Sequence, residues 1–326
     1  MVLRRWSTEE QNFLDALRSE VKEDLEKAHQ VPDVVGDRRL LRFARGHAMD
    51  LNKVSEMYRK HLNWRKEKNV DKVRDDILLH GINHPSKFPH AEAILKHVKQ
   101  VIISATGVDK KGSPICVENY TFSPAAVLAE VTIEEYVEFM VYALEYKMLV
   151  AEQMAELQER AFLKDIEERK AKGEVIVEDE LPPYGIIVHT VVIRDMIGVG
   201  LEHLGTQGQE IIRAIIGISS DNYPELMKKC FMINTPWLFN TLWYFIKGLL
   251  NQRTIDKVTV LGTTFMDEMK ESIDIENLPD LVEGGLKGPD PAFEFDLSCF
   301  APVTENTKEA GAAPTVLSKI ESTETD

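Results

Sequence analysis

Four histidines, His80, His84, His90 and His97, fall within one stretch and would suit a transition metal if their rings converged. His80 and His84 would share one face of a helix, but Gly81 and Pro85 interrupt it, and no cysteine or Asp/Glu cluster completes a four-ligand set. They read as surface and linker histidines. Gly198, Gly200 and Gly205 follow an apolar strand pattern and precede a helical one, where a dinucleotide fingerprint would lie. The third glycine comes five residues after the second, not three, so the amides do not line up on a pyrophosphate. Neither a Gly-Lys-Ser/Thr pair nor a Gly-x-Ser-x-Gly elbow occurs. Cys116, Cys230 and Cys299 are odd in number and far apart, which suits neither a disulfide framework nor a cysteine zinc site and points to a reducing compartment. The expectation is a chain that is not an enzyme and needs neither metal nor cofactor.

The most informative segment is Asn234-Thr-Pro-Trp-Leu-Phe-Asn-Thr-Leu-Trp-Tyr-Phe-Ile-Lys-Gly-Leu-Leu250. The Thr235 hydroxyl is placed to cap a helix, and Pro236 to occupy its first position, where the missing amide hydrogen costs nothing. On a helical projection Leu238, Leu242, Phe245, Ile246 and Leu249 form one apolar face, and Phe239, Trp243 and Leu250 extend it. Asn240, Tyr244 and Lys247 with Asn251 leave a narrow polar stripe. A helix apolar over most of its circumference is buried on two sides or meets lipid, and this one is too short to span a bilayer. The residues alone favour a core helix. A lid that lines a greasy cavity and faces a membrane when open is the other reading.

The chain that must position this segment has 326 residues, 44% hydrophobic and 29% charged, enough for a large core with a helical accessory domain. Its formal net charge of -15 sets the body against nucleic acid and against polybasic anchoring on a bilayer. No apolar run matches a signal peptide or a membrane span, so the cytoplasm is the expected location. Ser7 and Glu10 form a capping-box signature ahead of Phe13, Leu14, Leu17 and Val21. Helical patterns follow at Asp37–Arg45, Asp50–Lys68 and Val70–Leu79, and His80–His90 reads as a linker. Strands are expected at Val98–Ser104, Pro114–Glu118, Ile186–Arg194, Cys230–Asn234 and Lys257–Leu261, around a turn at Asp109–Gly112. Helices are expected from Thr132 toward Lys172, at Glu202–Ser220 and at Pro236–Leu250. The alternation predicts an α/β fold with a mixed or largely parallel sheet. The division expected is a helical N-terminal domain over 1–91, an α/β domain over 92–300 and a disordered tail over 301–326.

Several of these stretches resemble the CRAL-TRIO lipid-binding family, specifically its phosphatidylinositol-transfer branch. Leu40-Leu-Arg-Phe-Ala-Arg-Gly-His-Ala-Met-Asp50 and Trp64-Arg-Lys-Glu67 are similar to the family's LLRFLRARKFD and WRKE. Asn222-Tyr-Pro-Glu225, Ile233-Asn-Thr-Pro236, Thr254-Ile-Asp-Lys257 and Glu276-Asn-Leu-Pro279 resemble its NYPE, INAP, TxxK and ENLP markers in the same order. The resemblance implies a helical N-terminal domain followed by an α/β domain whose mixed sheet floors a lipid cavity. It also implies that the helix of 236–250 gates that cavity, through Trp237, Leu238, Leu242, Trp243, Phe245 and Ile246.

The same resemblance implies headgroup contacts from Glu225, Thr254 and Lys257, with His47 where the family has an arginine. Lys228, Lys229 and Arg253 lie nearby in sequence and read first as solvated surface. Cavity contacts are implied for Cys116, which stands where the family has a tyrosine, for Glu118, and for Thr190 and Val192 in the position of its SCT run. The ligand expected is phosphatidylinositol or another phospholipid, exchanged during transient membrane contact. Leu226 in place of an arginine and Cys116 in place of a tyrosine keep a sterol or isoprenoid as the alternative. A lipid-sensing interaction module is a further reading, because the stretch 155–180 is longer than the family's usual connection and could meet a protein partner. Met154, Leu157 and Ala161 are the positions expected to pack there.

Overall fold

The computed structural model describes residues 3–98, 100–102, 107–119, 123–287 and 291–302. Residues 303–326, nearly all of the expected tail, lie outside them, as do parts of the expected strand over 98–104. Six helices come first: α1 (Thr8–Glu20), α2 (Lys22–Lys27), α3 (Pro32–Val35), α4 (Asp37–Gly46), α5 (Leu51–Glu67) and α6 (Val70–Leu79). The Ser7 hydroxyl accepts from the Glu10 amide at 3.2 Å and the Glu10 carboxylate accepts from the Ser7 amide at 3.4 Å, so the capping box closes. Trp6, Leu14, Leu17, Leu40, Phe43 and Tyr58 form the core of this helical unit. Helix α6 belongs elsewhere, since Val70, Val73 and Ile77 pack in the main core. A short α7 (Ala91–Ile94) leads into the sheet.

The sheet comprises β1 (Gln100–Ile102), β2 (Ile115–Asn119), β3 (Thr190–Asp195), β4 (Met227–Ile233) and β5 (Val258–Val260), in the order β1-β2-β3-β4-β5. β1 is antiparallel to β2 and every other pairing is parallel. Between the strands run α8 (Pro124–Leu128), α9 (Ile133–Ala171), α10 (Thr206–Asn222), α11 (Phe239–Lys247) and α12 (Gln252–Ile255), and α13 (Met266–Lys270) follows. Each new parallel strand joins the same edge, so right-handed crossovers stack α9, α10 and α11 on one face. Side chains alternate accordingly. Ile115, Val117, Val191, Ile193, Phe231 and Ile233 pack against Phe265, Met269 and Ile273 on the far face, which leaves Cys116, Glu118, Thr190, Val192, Arg194, Cys230 and Met232 on the helical face.

Three expectations shift for identifiable reasons. Strand β3 starts at Thr190, not Ile186, because side chains occupy the backbone before it: Arg38 Nε donates to the Ile186 carbonyl (3.1 Å) and Arg42 Nη2 to the Val188 carbonyl (2.6 Å). Helix α11 starts at Phe239 with no side-chain cap, because the Thr235 hydroxyl donates to the Leu261 carbonyl at 2.8 Å and Pro236 sits in the turn before the helix. On α9, Met154 is buried, but Leu157 is 44% exposed and Ala161 is exposed too. The packed face there is made of carboxylates: Glu152, Glu156 and Glu159 close on Arg38 at 2.7, 2.8 and 2.8 Å.

Helix α9 has 39 residues, about 58 Å at 1.5 Å per residue, and its start carries the reciprocal Thr132–Glu135 capping box. The Asp109–Gly112 turn forms as expected: Asp109 Oδ1 accepts from the amides of Lys111 and Ser113, and Gly112 takes φ 77°, a conformation that a Cβ disfavours. His84, His90 and His97 go to separate partners, Ser86, Glu138 and Glu130. Among the described residues no group of His, Cys, Asp and Glu could hold a metal, and no helix is long and apolar enough to cross a membrane.

Candidate functional site

Between the helical face of the sheet and α9, α10 and α11 lies a cavity of about 1710 Å³, counting the part open to solvent. Its walls are apolar: Met140 and Leu144 from α9, Ile211, Ile212, Ile215 and Ile216 from α10, Leu242 and Ile246 from α11, with Val192 and Met232 beneath. The isoleucines on α10 recur at i, i+1, i+4 and i+5, a spacing that turns one stripe of a helix inward.

Two polar clusters interrupt this lining. At the outer end, Glu225 Oε1 forms an ion pair with Arg253 Nε at 2.9 Å and Oε2 accepts from Lys257 Nζ at 3.1 Å, while Lys257 also donates to the Met227 carbonyl at 3.0 Å and Arg253 Nη1 to the Arg45 carbonyl at 2.6 Å. Glu225 sits in the left-handed region (φ 53°), and its carbonyl is held by Arg42 Nη1 at 2.6 Å. Gly46 closes α4 against this turn, where an added Cβ would stand 2.8 Å from the Pro224 Cβ. His189 Nε2 lies 3.8 Å from Glu225. Burial, then the cations Arg42, Lys257, Arg45 and Lys228, pull the His189 ring down to about 3, so it is neutral near pH 7. His47 also lines this end, and burial followed by Lys53 holds it below its ordinary value. It supplies no cation there, unlike an arginine.

On the floor, Lys147 Nζ donates to Glu118 Oε1 at 2.6 Å and Arg194 Nε to Oε2 at 2.7 Å. Burial would raise the Glu118 carboxyl, but Lys147 and Arg194 outweigh it and hold it well below the usual carboxylate range. Burial would likewise lower Lys147, but its neighbours Cys116 and Glu118 hold the ammonium above the usual lysine range. Burial pushes the Cys116 thiol up to about 12, so it is protonated near neutrality and Glu118 is the charged partner.

His47, Glu118, Thr190, Val192, Glu225, Thr254, Lys257, Leu242 and Ile246 thus line one cavity. Cys116 lies beneath it, buried beside Glu118. Thr190 lends its hydroxyl to the Leu226 carbonyl at 3.1 Å. Of the other α11 residues, Trp243 stacks on buried Phe239, Phe245 lies under Arg213 and Leu238 is half-buried, whereas Trp237 is 86% exposed. Lys228 and Lys229 turn away to Asp109 and Glu268. The sequence reading missed Lys147 and Arg194 and set Arg253 aside as surface, though all three line the cavity. The one signal for Lys147 was a lone cation within the long apolar stretch Met140–Val150.

The model of the CRAL/TRIO domain matches residues 98–284. The chain belongs to the CRAL/TRIO family. This CRAL/TRIO chain is 30% identical over 281 residues to the Sec14 cytosolic factor of Schizosaccharomyces pombe, covering 86% of this chain and 84% of that one. It is 26% identical over 268 residues to the phosphatidylinositol/phosphatidylcholine transfer protein SFH4 of Arabidopsis thaliana, covering 82% of this chain and 38% of that protein. The chain therefore spans under two fifths of the length of that plant relative. A solved structure, the crystal structure of Sfh5, superposes with a TM-score of 0.58 at 15% identity, over 87% of this chain and 91% of that one, a likeness of fold.

Proposed function

We propose that this chain is a non-enzymatic carrier that binds a phospholipid, phosphatidylinositol first, and exchanges it between membranes through the opening of α11. The observation that carries the reading is one apolar cavity with a Glu225–Lys257–Arg253 cluster and Thr254 at its outer end. An ammonium and a guanidinium already held by a carboxylate can re-pair with a phosphodiester, and two long acyl chains match the apolar walls. At about 0.8 kcal/mol per buried methylene, two such chains represent on the order of 20 kcal/mol of transfer free energy, so release into water is slow and exchange needs a gate opened against a bilayer. The relatives named for phosphatidylinositol and phosphatidylcholine transfer support the same ligand class. A net charge of -15 suits brief docking in the cytoplasm rather than retention on an acidic surface.

Mass spectrometry of lipid copurified with the chain tests the reading: phospholipid is expected, and a sterol or isoprenoid in its place would overturn the headgroup assignment. Exchange of labelled phosphatidylinositol between vesicles should fall in Lys257→Ala.

A further inference from the structure

We propose that Lys147 and Arg194, gathered by Glu118 on the cavity floor, form a second, inner site that accepts the oxyanion of an acidic lipid and disfavours a quaternary ammonium headgroup. This rests on the reading that the cavity carries a lipid. Three separate elements build the cluster: Glu118 on β2, Arg194 directly opposite it on β3, and Lys147 descending from α9. All three side chains line the same cavity as the apolar walls. Along β3 the cavity face runs Thr190, Val192, Arg194, so the inner site stands four residues from the outer end, about 13 Å at ~3.3 Å per residue. Val192, Cys230 and Met232 separate the two polar ends.

The chemistry favours an anion. The Lys147 ammonium offers three donors, of which one goes to Glu118 at 2.6 Å and a second faces the Cys116 sulfur, so it has a donor to share with a ligand oxygen. The ammonium is fixed close to a low-dielectric wall, where a like charge is strongly disfavoured, and a choline has no donor or acceptor with which to offset that repulsion. A purely structural strut between α9 and the sheet would be served as well by apolar side chains, since a buried ion pair generally does no better than a well-packed hydrophobic replacement. Placing charged groups on the lining of a greasy cavity instead selects what enters it. The shared ligand chemistry is an oxyanion borne by a long-chain lipid, either a phosphate ester without choline or a free carboxylate.

The test uses the full chain incubated with vesicles of equal phosphatidylglycerol and phosphatidylcholine, the protein-bound lipids being counted by native mass spectrometry. A second arm adds palmitate. Wild type is expected to favour phosphatidylglycerol by about tenfold. Lys147→Met should bring that ratio close to one, and Lys147→Arg, which keeps the charge, should restore it. Should Lys147→Met fail to fold, Arg194→Gln serves for the same comparison. Palmitate displacing phosphatidylglycerol in wild type but not in the methionine variant would support the site and assign it to a carboxylate. An unchanged ratio in a folded Lys147→Met chain overturns the inner site while leaving the carrier reading intact, because any preference would then come from the outer cluster. Absence of both phospholipids from wild type would overturn the inner site, and the carrier reading falls with it only if exchange of labelled phosphatidylinositol between vesicles is absent too.

Discussion

The cavity holds one arrangement twice, a carboxylate between an ammonium and a guanidinium, and the two copies live in different surroundings. On the floor, the Lys147 and Glu118 side chains are 5% and 8% exposed, and only Arg194, at 28%, reaches water. At the outer end, Glu225 is equally buried, but Arg253 is 50% exposed and Lys257 21%. Water and salt screen the outer pairs, which places each within the small range typical of accessible ion pairs, about 0–1 kcal/mol. The floor pair has little water to replace a lost partner, so breaking it strands a charge. The same chemistry is exchangeable in one place and fixed in the other. An outer cluster that gives up its internal pairs cheaply suits a group that must take and release a headgroup.

The largest effect should separate the two copies by stability. Glu118→Gln leaves two cations on the floor without their carboxylate and should cost about 3–5 kcal/mol in urea denaturation, whereas Glu225→Gln should cost about 1 kcal/mol. Equal losses would dissolve the distinction. Next comes pH. The His189 ring beside Glu225 is held near 3 in the fold, against about 6.5 when unfolded, so between those values the unfolded chain binds more protons. Its contribution is complete above about 6.5 and is lost as pH falls, about 2 kcal/mol by pH 5. His189→Asn should flatten that part of the stability profile. Glu118, held low by its partners, should add its own loss only below about 4.5.

A smaller effect on binding should mark the outer cluster as functional. Lys257→Ala is expected to slow phosphatidylinositol transfer about tenfold, a change of about 1.4 kcal/mol, with a denaturation midpoint close to wild type. Transfer at the wild-type rate would remove Lys257 from the headgroup site. The smallest stability change belongs to Trp237→Ser, because that indole is 86% exposed. Stability should move by less than about 0.5 kcal/mol, while vesicle sedimentation should show weaker membrane contact. Unchanged sedimentation would take Trp237 out of the gate.

The unequal settings also explain what could be read from the chain alone. The outer residues Glu225, Thr254 and Lys257 lie close to segments with local character, a Tyr-Pro turn and a short helix, and a motif fixes their neighbours. Caps were legible for the same reason: Ser7 with Glu10 and Thr132 with Glu135 involve residues three apart. Thr235 shows the limit of that logic, because its hydroxyl goes to Leu261, a partner that only the sheet brings near. Lys147 and Arg194 depend wholly on such long-range partners. The α/β alternation was legible, but the packed face of α9 beyond Met154 was not, because hydrophobic periodicity cannot register a face made of Glu152, Glu156 and Glu159.

That long helix also gives the container one stiff side and one compliant side. α9 is riveted through Glu145 to Arg65, through Lys147 to the floor and through three glutamates to Arg38, so displacing it means parting charges in several places at once. Across the cavity, α11 is nine residues long, has no side-chain cap, and buries Phe239, Leu242 and Ile246. Strain is shared according to compliance, so under the proposed gating α11 is the side expected to yield and α9 the fixed jamb.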